Sequence, residues 1–329
     1  MDSPGPTHLS LCAGYDGLGL ALQRVWPTCR TVAYVEVEAF CVANLVAKME
    51  EGQMAPAPIF TDLRAFDAKP FRGLVDIASG GFPCQPFSLA GQKFADQDPR
   101  HIFPDIIRTV RAIQPGLVLL ENVSGILTAK LKGDEWDDPA GTPVLLHVLR
   151  SLERVGYKAT AGLFTACEVG APHERKRVFI LARRSKAPLD ATDDCFGASL
   201  GEIGDRAHSQ SELADADRAL LQRRISRRKN SGREDFNGLP RCRDSSVRTK
   251  WPVGPGHHQH KWEEPRTIPT QPKLGGTVDG TASGVDATAN RVDRLRLLGN
   301  GVVVESAERA LRVLLDDLGA GPSDGGPYG

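Results

Sequence analysis

The sequence predicts an α/β protein: a mostly parallel sheet with helices on both faces, joined to a smaller irregular region. Three observations carry this prediction. Short apolar runs alternate with amphipathic segments from Thr7 to about Arg183. A glycine-rich turn follows the first of these runs. From Ser185 to about Asn290 the apolar periodicity fades, and Gly, Pro, Ser, Asp and Arg dominate. Strand and helix in alternation imply parallel pairing, because parallel strands need a long crossover and a helix supplies it. A chain of 329 residues is long enough for two domains.

The predicted strands are residues 8–12, 31–36, a short one in IFTDL that ends at Asp62, then 75–79, 116–123, 158–166 and 176–182. Between them, segments 39–49, 102–113 and 144–156 repeat apolar residues at three- and four-residue steps, as a helix with one buried face does. Order returns in VDRLRLLGNGVVVESAERALRVLLDDL (292–318), where a Gly-Asn-Gly turn precedes an amphipathic helix. Val304, Ala307, Leu311, Leu314 and Leu315 lie on or near one face of it, so this helix is expected to dock back on the first region. The expected division is 1–184, then 185–291, a returning segment 292–318, and a disordered tail 319–329 without core-forming content.

Composition narrows the function classes. Lys plus Arg and Asp plus Glu each number 41, so no global charge advertises nucleic acid or a membrane, and any such site must be local. The seven cysteines are spread singly, without a CxxC pair or a Cys/His cluster at zinc spacing, which reads as reduced thiols and no metal. His257, His258 and His260 lack a neighbouring cysteine pair, so a metal reading is disfavoured there too. The start MDSPGPTHLS has no basic run followed by an apolar one, and no stretch approaches the ~20 apolar residues of a membrane span. A soluble, intracellular protein is expected.

LSLCAGYDGLGLALQRV places Gly14, Gly17 and Gly19 after the first strand and at the start of a helix. Glycine there lets backbone approach a ligand, and the helix amino terminus offers unpaired N–H groups. The alternative is a turn needed only for tight strand and helix packing. Glu36 ends the second strand about 20 residues on, where an acidic side chain in a nucleotide fold accepts from ribose hydroxyls. Asp62, at the end of the third strand, is placed to meet an adenine amine, with an ordinary strand-end cap as the plainer reading.

Cys84 follows a buried strand in ASGGFPCQPFSLAG, between Pro83 and Pro86. A cysteine kept for packing belongs inside an apolar element, as Cys12 and Cys41 do, so Cys84 reads as reactive. The next apolar strand ends in Glu121-Asn122-Val123. In a parallel sheet, ligands collect at the carboxyl ends of strands, so Gly14, Glu36, Asp62, Cys84 and Glu121 are expected to converge. A carboxyl there is expected to have a raised pKa and to donate a proton or hydrogen bond near neutrality, with a salt bridge or helix cap as the alternative that the pattern leaves open for Glu121. GAPHERKRVFILA (170–182) then presents Arg175, Lys176 and Arg177 before another apolar strand, with a solvated basic run as the bland reading.

Taken in order, these residues resemble the cytosine-5 DNA methyltransferase family of bacterial or phage type. CAGYDGLGLAL is similar to its first S-adenosylmethionine motif, and Glu36 and Asp62 fall where its next two motifs place acidic residues. GGFPCQPFS resembles its nucleophile loop, ENV and APHERKRVF its next catalytic motifs, and LLGNGVVV its carboxyl-terminal one. The resemblance covers 8–183 and 292–318. It implies a Rossmann-like S-adenosylmethionine-dependent methyltransferase sheet and a 185–291 target recognition domain.

The resemblance also implies residue roles. Cys84 would add to carbon 6 of a flipped-out cytosine, Glu121 would hold or protonate ring nitrogen 3, and Arg177, or else Arg175, would hold the base oxygen. Ala13, Gly14 and Tyr15 would line the methionine side of the cofactor, Glu36 the ribose and Val37 the adenine face. Asp62 and Leu63 would flank the adenine edge. Pro83 would sit near the methyl donor, and Asn300 would brace the site from the returning segment. Gln85 and Ser88 would contact the flipped nucleotide, and Arg223, Arg224, Arg227 and Arg228 the phosphates of double-stranded DNA. The implied protein is a cytoplasmic monomer, in a bacterial cell or phage-infected host, with room for a cognate restriction endonuclease. Two departures stand out: Asp16 replaces the family's usual glycine, and His173 its glutamine. The segment before LLGN is also shorter than usual.

Competing readings differ in what they leave unexplained. An exocyclic-amine methyltransferase would carry an acidic-or-Asn-Pro-Pro-aromatic loop, and none occurs. A nicotinamide-dependent dehydrogenase accounts for the glycine turn and Glu36 but not for PCQ, ENV and LGN. A non-catalytic DNA-binding relative would not need Cys84, Glu121 and Arg177 together. A transfer RNA cytosine-5 methyltransferase of the same fold shares the catalytic motifs and stays open.

Overall fold

The computed structural model describes residues 5–82, 102–131, 142–185 and 300–319. Cys84 with Pro83, Gln85 and Ser88, the Arg223 to Arg228 cluster and the 185–291 region beyond Ser185 lie outside the described residues.

The chain begins with β1 (Thr7–Leu11), α1 (Gly17–Val25), β2 (Arg30–Val35), α2 (Ala39–Glu50) and a two-residue β3 (Ile59–Phe60). It continues through β4 (Ile77–Gly81), α3 (Phe103–Ile113), β5 (Leu117–Val123), and the short pair β6 (Lys130–Leu131) and β7 (Thr142–Pro143). After α4 (Val144–Arg154), β8 (Tyr157–Phe164) and β9 (Arg177–Arg184), the chain returns as α5 (Val304–Asp317). Seven strands form one sheet in the order β3-β2-β1-β4-β5-β9-β8. All neighbours pair in parallel except β9, which runs antiparallel to both β5 and β8. The expected α/β sheet is therefore present, with one reversed strand that the apolar pattern alone does not mark.

Both faces of the sheet are covered, and the alternation of side chains assigns each face. Val118 and Leu120 of β5 join Leu9 and Leu11 of β1 and pack against Ile106 and Val110 of α3 and Val148 and Leu152 of α4. Leu117 and Leu119 point the other way, joining Leu18 and Leu22 of α1 and Ala307, Leu311, Leu314 and Leu315 of α5. The predicted stripe of α5 is buried throughout, and the helix packs on α1, β8 and β9. Ion pairs at its rim, Arg24 with Glu305 at 2.7 Å and Arg309 with Glu168 at 3.2 Å, tie it down at the surface.

One polar ladder crosses this core. His8 is fully buried, its Nδ1 2.9 Å from Thr31 Oγ1 on β2 and its Nε2 2.8 Å from Ser79 Oγ on β4. Burial holds its pKa down to about 3, so it stays neutral. Strand β4 extends to Gly81, beyond the predicted end at residue 79, because Gly80 and Gly81 pair with Leu120 and Glu121. No helix among the described residues is long and apolar enough to cross a membrane. Cys12, Cys29 and Cys41 are free thiols.

Candidate active site

The strand order reverses at β1, which sends the chain to β2 and β3 on one side and to β4 and β5 on the other. Such a switch point opens a crevice at the carboxyl ends of the strands. The amino end of the reversed β9 lies at the same edge, since Arg177 pairs with Val123 at the end of β5.

On the β1 and β2 side, the turn after Leu11 meets Glu36. The Gly14 N–H donates to Glu36 Oε2 at 2.7 Å, and the Glu38 N–H donates to Oε1 at 2.8 Å. Burial raises the Glu36 pKa, and these two backbone donors pull it back toward the charged form. Gly14 has φ +56°, and a Cβ built on it would meet nothing within 4 Å, so bare backbone faces open space. The next residue after Glu36, Val37, is 68% exposed, an apolar side chain left uncovered beside a buried acceptor. An acceptor, an exposed apolar platform and a bare turn together fit a purine riboside.

The remaining residues expected on this side divide. Asp62 is exposed, and its Oδ1 accepts from the Arg64 N–H at 2.9 Å. Leu63 is buried in the core, so its side chain is turned away from a ligand and packs with Phe66 and Val75. Arg108 of α3 fixes that loop by donating to the Leu63 carbonyl at 2.7 Å. Ala13 is half-buried, and its carbonyl accepts from the Asp16 N–H at 2.7 Å. Tyr15 is buried, and its hydroxyl donates to the Val302 carbonyl in the returning segment. Asn300 is exposed at the start of that segment.

On the β4 and β5 side, Glu121 is 7% exposed, and Arg177 Nε lies 2.8 Å from its Oε1. Burial pushes the Glu121 pKa up to about 7, while Arg177 and then Arg175 draw it down. Room for the carboxyl comes from Gly81 on the neighbouring strand, whose absent Cβ would stand 3.2 Å from Glu121 Oε2. Arg175 donates through Nη2 to the Gly301 carbonyl, so of the two arginines Arg177 engages Glu121 directly and Arg175 clasps the returning chain.

The site also contains residues that the sequence reading did not assign. Asn122 is buried and donates from Nδ2 to the Phe82 carbonyl at 2.9 Å, while its Oδ1 accepts from the Val123 N–H at 2.8 Å. It thereby holds the last described residue before the Cys84 segment, and its place inside ENV was the available signal. Cys12 lies beside Glu36, and burial pushes its thiol up to about 12, which leaves it inert near neutrality.

A family model described as C-5 cytosine-specific DNA methylase matches residues 7–271. The Type II methyltransferase M.NgoMIV of Neisseria gonorrhoeae is 30% identical over 180 residues, covering 55% of this chain and 52% of that protein. The Type II methyltransferase M.DdeI of Desulfomicrobium norvegicum is 37% identical over 117 residues, 35% of this chain and 26% of that protein. The chain thus spans about half the length of the first of these relatives and about a quarter of the second. The structure of S. pombe Dnmt2 methyltransferase aligns with a TM-score of 0.51 at 15% identity, over 95% of this chain and 99% of that one, a likeness of fold. With ordered motifs along one sheet edge and a family match that runs from β1 beyond β9, the chain belongs to the C-5 cytosine-specific DNA methylase family.

Proposed function

We propose that the protein methylates carbon 5 of a flipped-out cytosine in a specific sequence of double-stranded DNA, using S-adenosylmethionine. The observation that carries this reading is the buried Glu121 with Arg177 at 2.8 Å, one strand away from the chain that leads through Phe82 to Cys84. Family membership supplies the reaction type, and the names of the Type II methyltransferase relatives support a place beside a cognate restriction endonuclease. The proposed protein acts as a monomer in the cytoplasm.

Carbon 5 of cytosine is a weak nucleophile. In this reading the Cys84 thiolate forms a bond to carbon 6, and the ring electrons move toward nitrogen 3, where the Glu121 carboxyl holds the proton. A carboxyl lifted to about 7 by burial is suited to that role near neutral pH. Arg177 steadies Glu121 and would hold the base oxygen from the same side, while Arg175 ties the returning segment down through the Gly301 carbonyl. The target must leave the base stack, because a thiolate cannot reach carbon 6 inside a duplex.

The cofactor supplies, when bound, a methyl group on a sulfonium centre. Glu36 would hold its ribose, Val37 its adenine face, Asp62 the adenine edge, and Ala13, Gly14 and Tyr15 the methionine side, with Pro83 and Asn300 near the methyl donor. Removal of the carbon 5 proton then lets the Cys84 bond break and frees the product. Gln85 and Ser88 would contact the extruded nucleotide, and Arg223, Arg224, Arg227 and Arg228 the DNA backbone, within a 185–291 recognition region.

The test is incubation with labelled S-adenosylmethionine and duplex DNA containing 5-fluorocytosine, followed by a denaturing gel. Fluorine at carbon 5 blocks the last elimination, so a covalent adduct should accumulate with the parent and vanish with Cys84→Ser. An adduct on transfer RNA but on no DNA duplex would overturn the DNA assignment.

A further inference from the structure

Three of the five residues that join β1 to α1 are left-handed: Cys12 at φ 50°, Gly14 at 56° and Asp16 at 63°. Glycine takes this conformation freely; aspartate is among the few other residues that tolerate it, and it needs a reason to stay there. That reason lies beneath the turn. Asp16 is 2% exposed, and its Oδ1 accepts from the Ser10 hydroxyl of β1 at 2.7 Å. The Tyr34 hydroxyl of β2 faces the same carboxylate, and the buried ammonium of Lys48 on α2 supplies the opposite charge. On α1, a Cβ at Gly19 would fall 2.2 Å from Asp16 Oδ2, so the missing side chain at 19 is the space the carboxylate fills. Four elements thus converge on one side chain, and the position is one where the family's usual residue is glycine.

The consequence reaches the cofactor edge through two short links. The Asp16 N–H donates to the Ala13 carbonyl at 2.7 Å, and the Gly14 N–H between them donates to Glu36 at 2.7 Å. We propose that Asp16 is a positioning residue for the cofactor: its carboxylate, held by Ser10 beneath the turn with Tyr34 and Lys48 facing it, keeps the 12–16 turn in the shape that presents Gly14 to the ligand and to Glu36. This rests on the assignment of the turn to S-adenosylmethionine. A turn already held in its bound shape loses less freedom when the ligand arrives, so the effect falls on affinity and not on turnover. Burial opposes the charge on both partners, lifting the Asp16 carboxyl to about 7 and lowering Lys48, while each draws the other back toward its ionised form.

The experiment compares the parent with Asp16→Asn, Tyr34→Phe and Ser10→Ala. It measures the affinity for S-adenosylhomocysteine by calorimetry, and KM for S-adenosylmethionine against kcat at saturating DNA. Asp16→Asn should weaken binding and raise KM about tenfold, the size of one charge-assisted hydrogen bond, with kcat within about twofold of the parent. Tyr34→Phe and Ser10→Ala should do the same more mildly, and they keep the test decisive if Asp16→Asn does not fold. Parent-like affinity in the folded variants, or kcat falling in step with affinity, would overturn the role of Asp16. A parent that binds no S-adenosylhomocysteine would instead overturn the cofactor assignment.

Discussion

Two buried carboxylates stand at the carboxyl edge of the sheet, and their partners differ in kind. Glu36, after β2, is held at both oxygens by backbone N–H groups, from Gly14 at 2.7 Å and Glu38 at 2.8 Å. Glu121, in β5, faces the guanidinium of Arg177 at 2.8 Å. Backbone donors do not move without moving the turn, so Glu36 is a fixed acceptor in a set direction. A guanidinium on a flexible stem can share its carboxylate with an arriving group, so Glu121 is free to change partner and protonation state. In the proposed reaction the same side-chain chemistry would serve binding in one half of the crevice and chemistry in the other.

This contrast breaks most visibly at Glu121. Glu121→Gln should lower kcat by roughly 10²- to 10⁴-fold, the usual range for a lost acid–base group, while S-adenosylhomocysteine affinity by calorimetry stays at the parent value. A loss of cofactor affinity of comparable size would erase the division between the halves. The converse variant, Glu36→Gln, should weaken cofactor binding about 10- to 100-fold, the range for hydrogen bonds to a charged group, with kcat at saturating cofactor largely kept. Equal losses in both parameters would show that Glu36 also shapes the reacting geometry.

The smallest expected effect is on stability and sharpens the point about protonation. Burial lifts Glu121 from its ordinary 4.5 to about 7 in the folded protein. Between those values the folded state holds a proton that the unfolded chain has released, so the contribution is full below about pH 4.5 and lost as pH rises through about 7. Glu121→Gln removes this loss, and its Tm relative to the parent should therefore rise from pH 5 to pH 8, by an amount on the order of 2 kcal/mol in stability. A Tm difference that does not change with pH would mean that Arg177 keeps Glu121 ionised throughout.

Much of the site was legible because its residues follow strand ends. An apolar run such as GLVLL that stops at a glutamate marks both a buried strand and an exposed terminus, so Glu36 and Glu121 could be placed from pattern alone. Leu63 shows the limit. Its neighbour Asp62 is exposed, but the Leu63 side chain enters the core because the loop folds back under Arg108. The resemblance favoured Arg177 over Arg175 for the base oxygen, but only the pairing of β9 with β5 shows Arg177 set against Glu121 and Arg175 left to the Gly301 carbonyl.

The burial of Asp16 beneath the 12–16 turn was beyond sequence reasoning for a definable cause. The pairing of β1 with β2 shifts by one residue between His8 and Leu9, which sets Tyr34 opposite Ser10 in place of Ala33. A one-residue slip exchanges the faces of a strand, so this irregularity is what brings the Tyr34 hydroxyl to Asp16. Lys48 lends its charge to the same carboxylate from the buried stripe of α2, shared with Cys41, Asn44 and Leu45 at helical spacing.

By itself, the amino-acid sequence determined the alternation of strand and helix, the glycine turn and the buried stripe of α5. Each of these follows from local periodicity or from the chemistry of single residues. The tertiary structure alone decided the direction of β9, the extension of β4 to Gly81, the separate partners of Arg175 and Arg177, and the burial of Asp16 under the 12–16 turn. Those depend on register and on contacts between residues far apart in the chain, which no local pattern encodes.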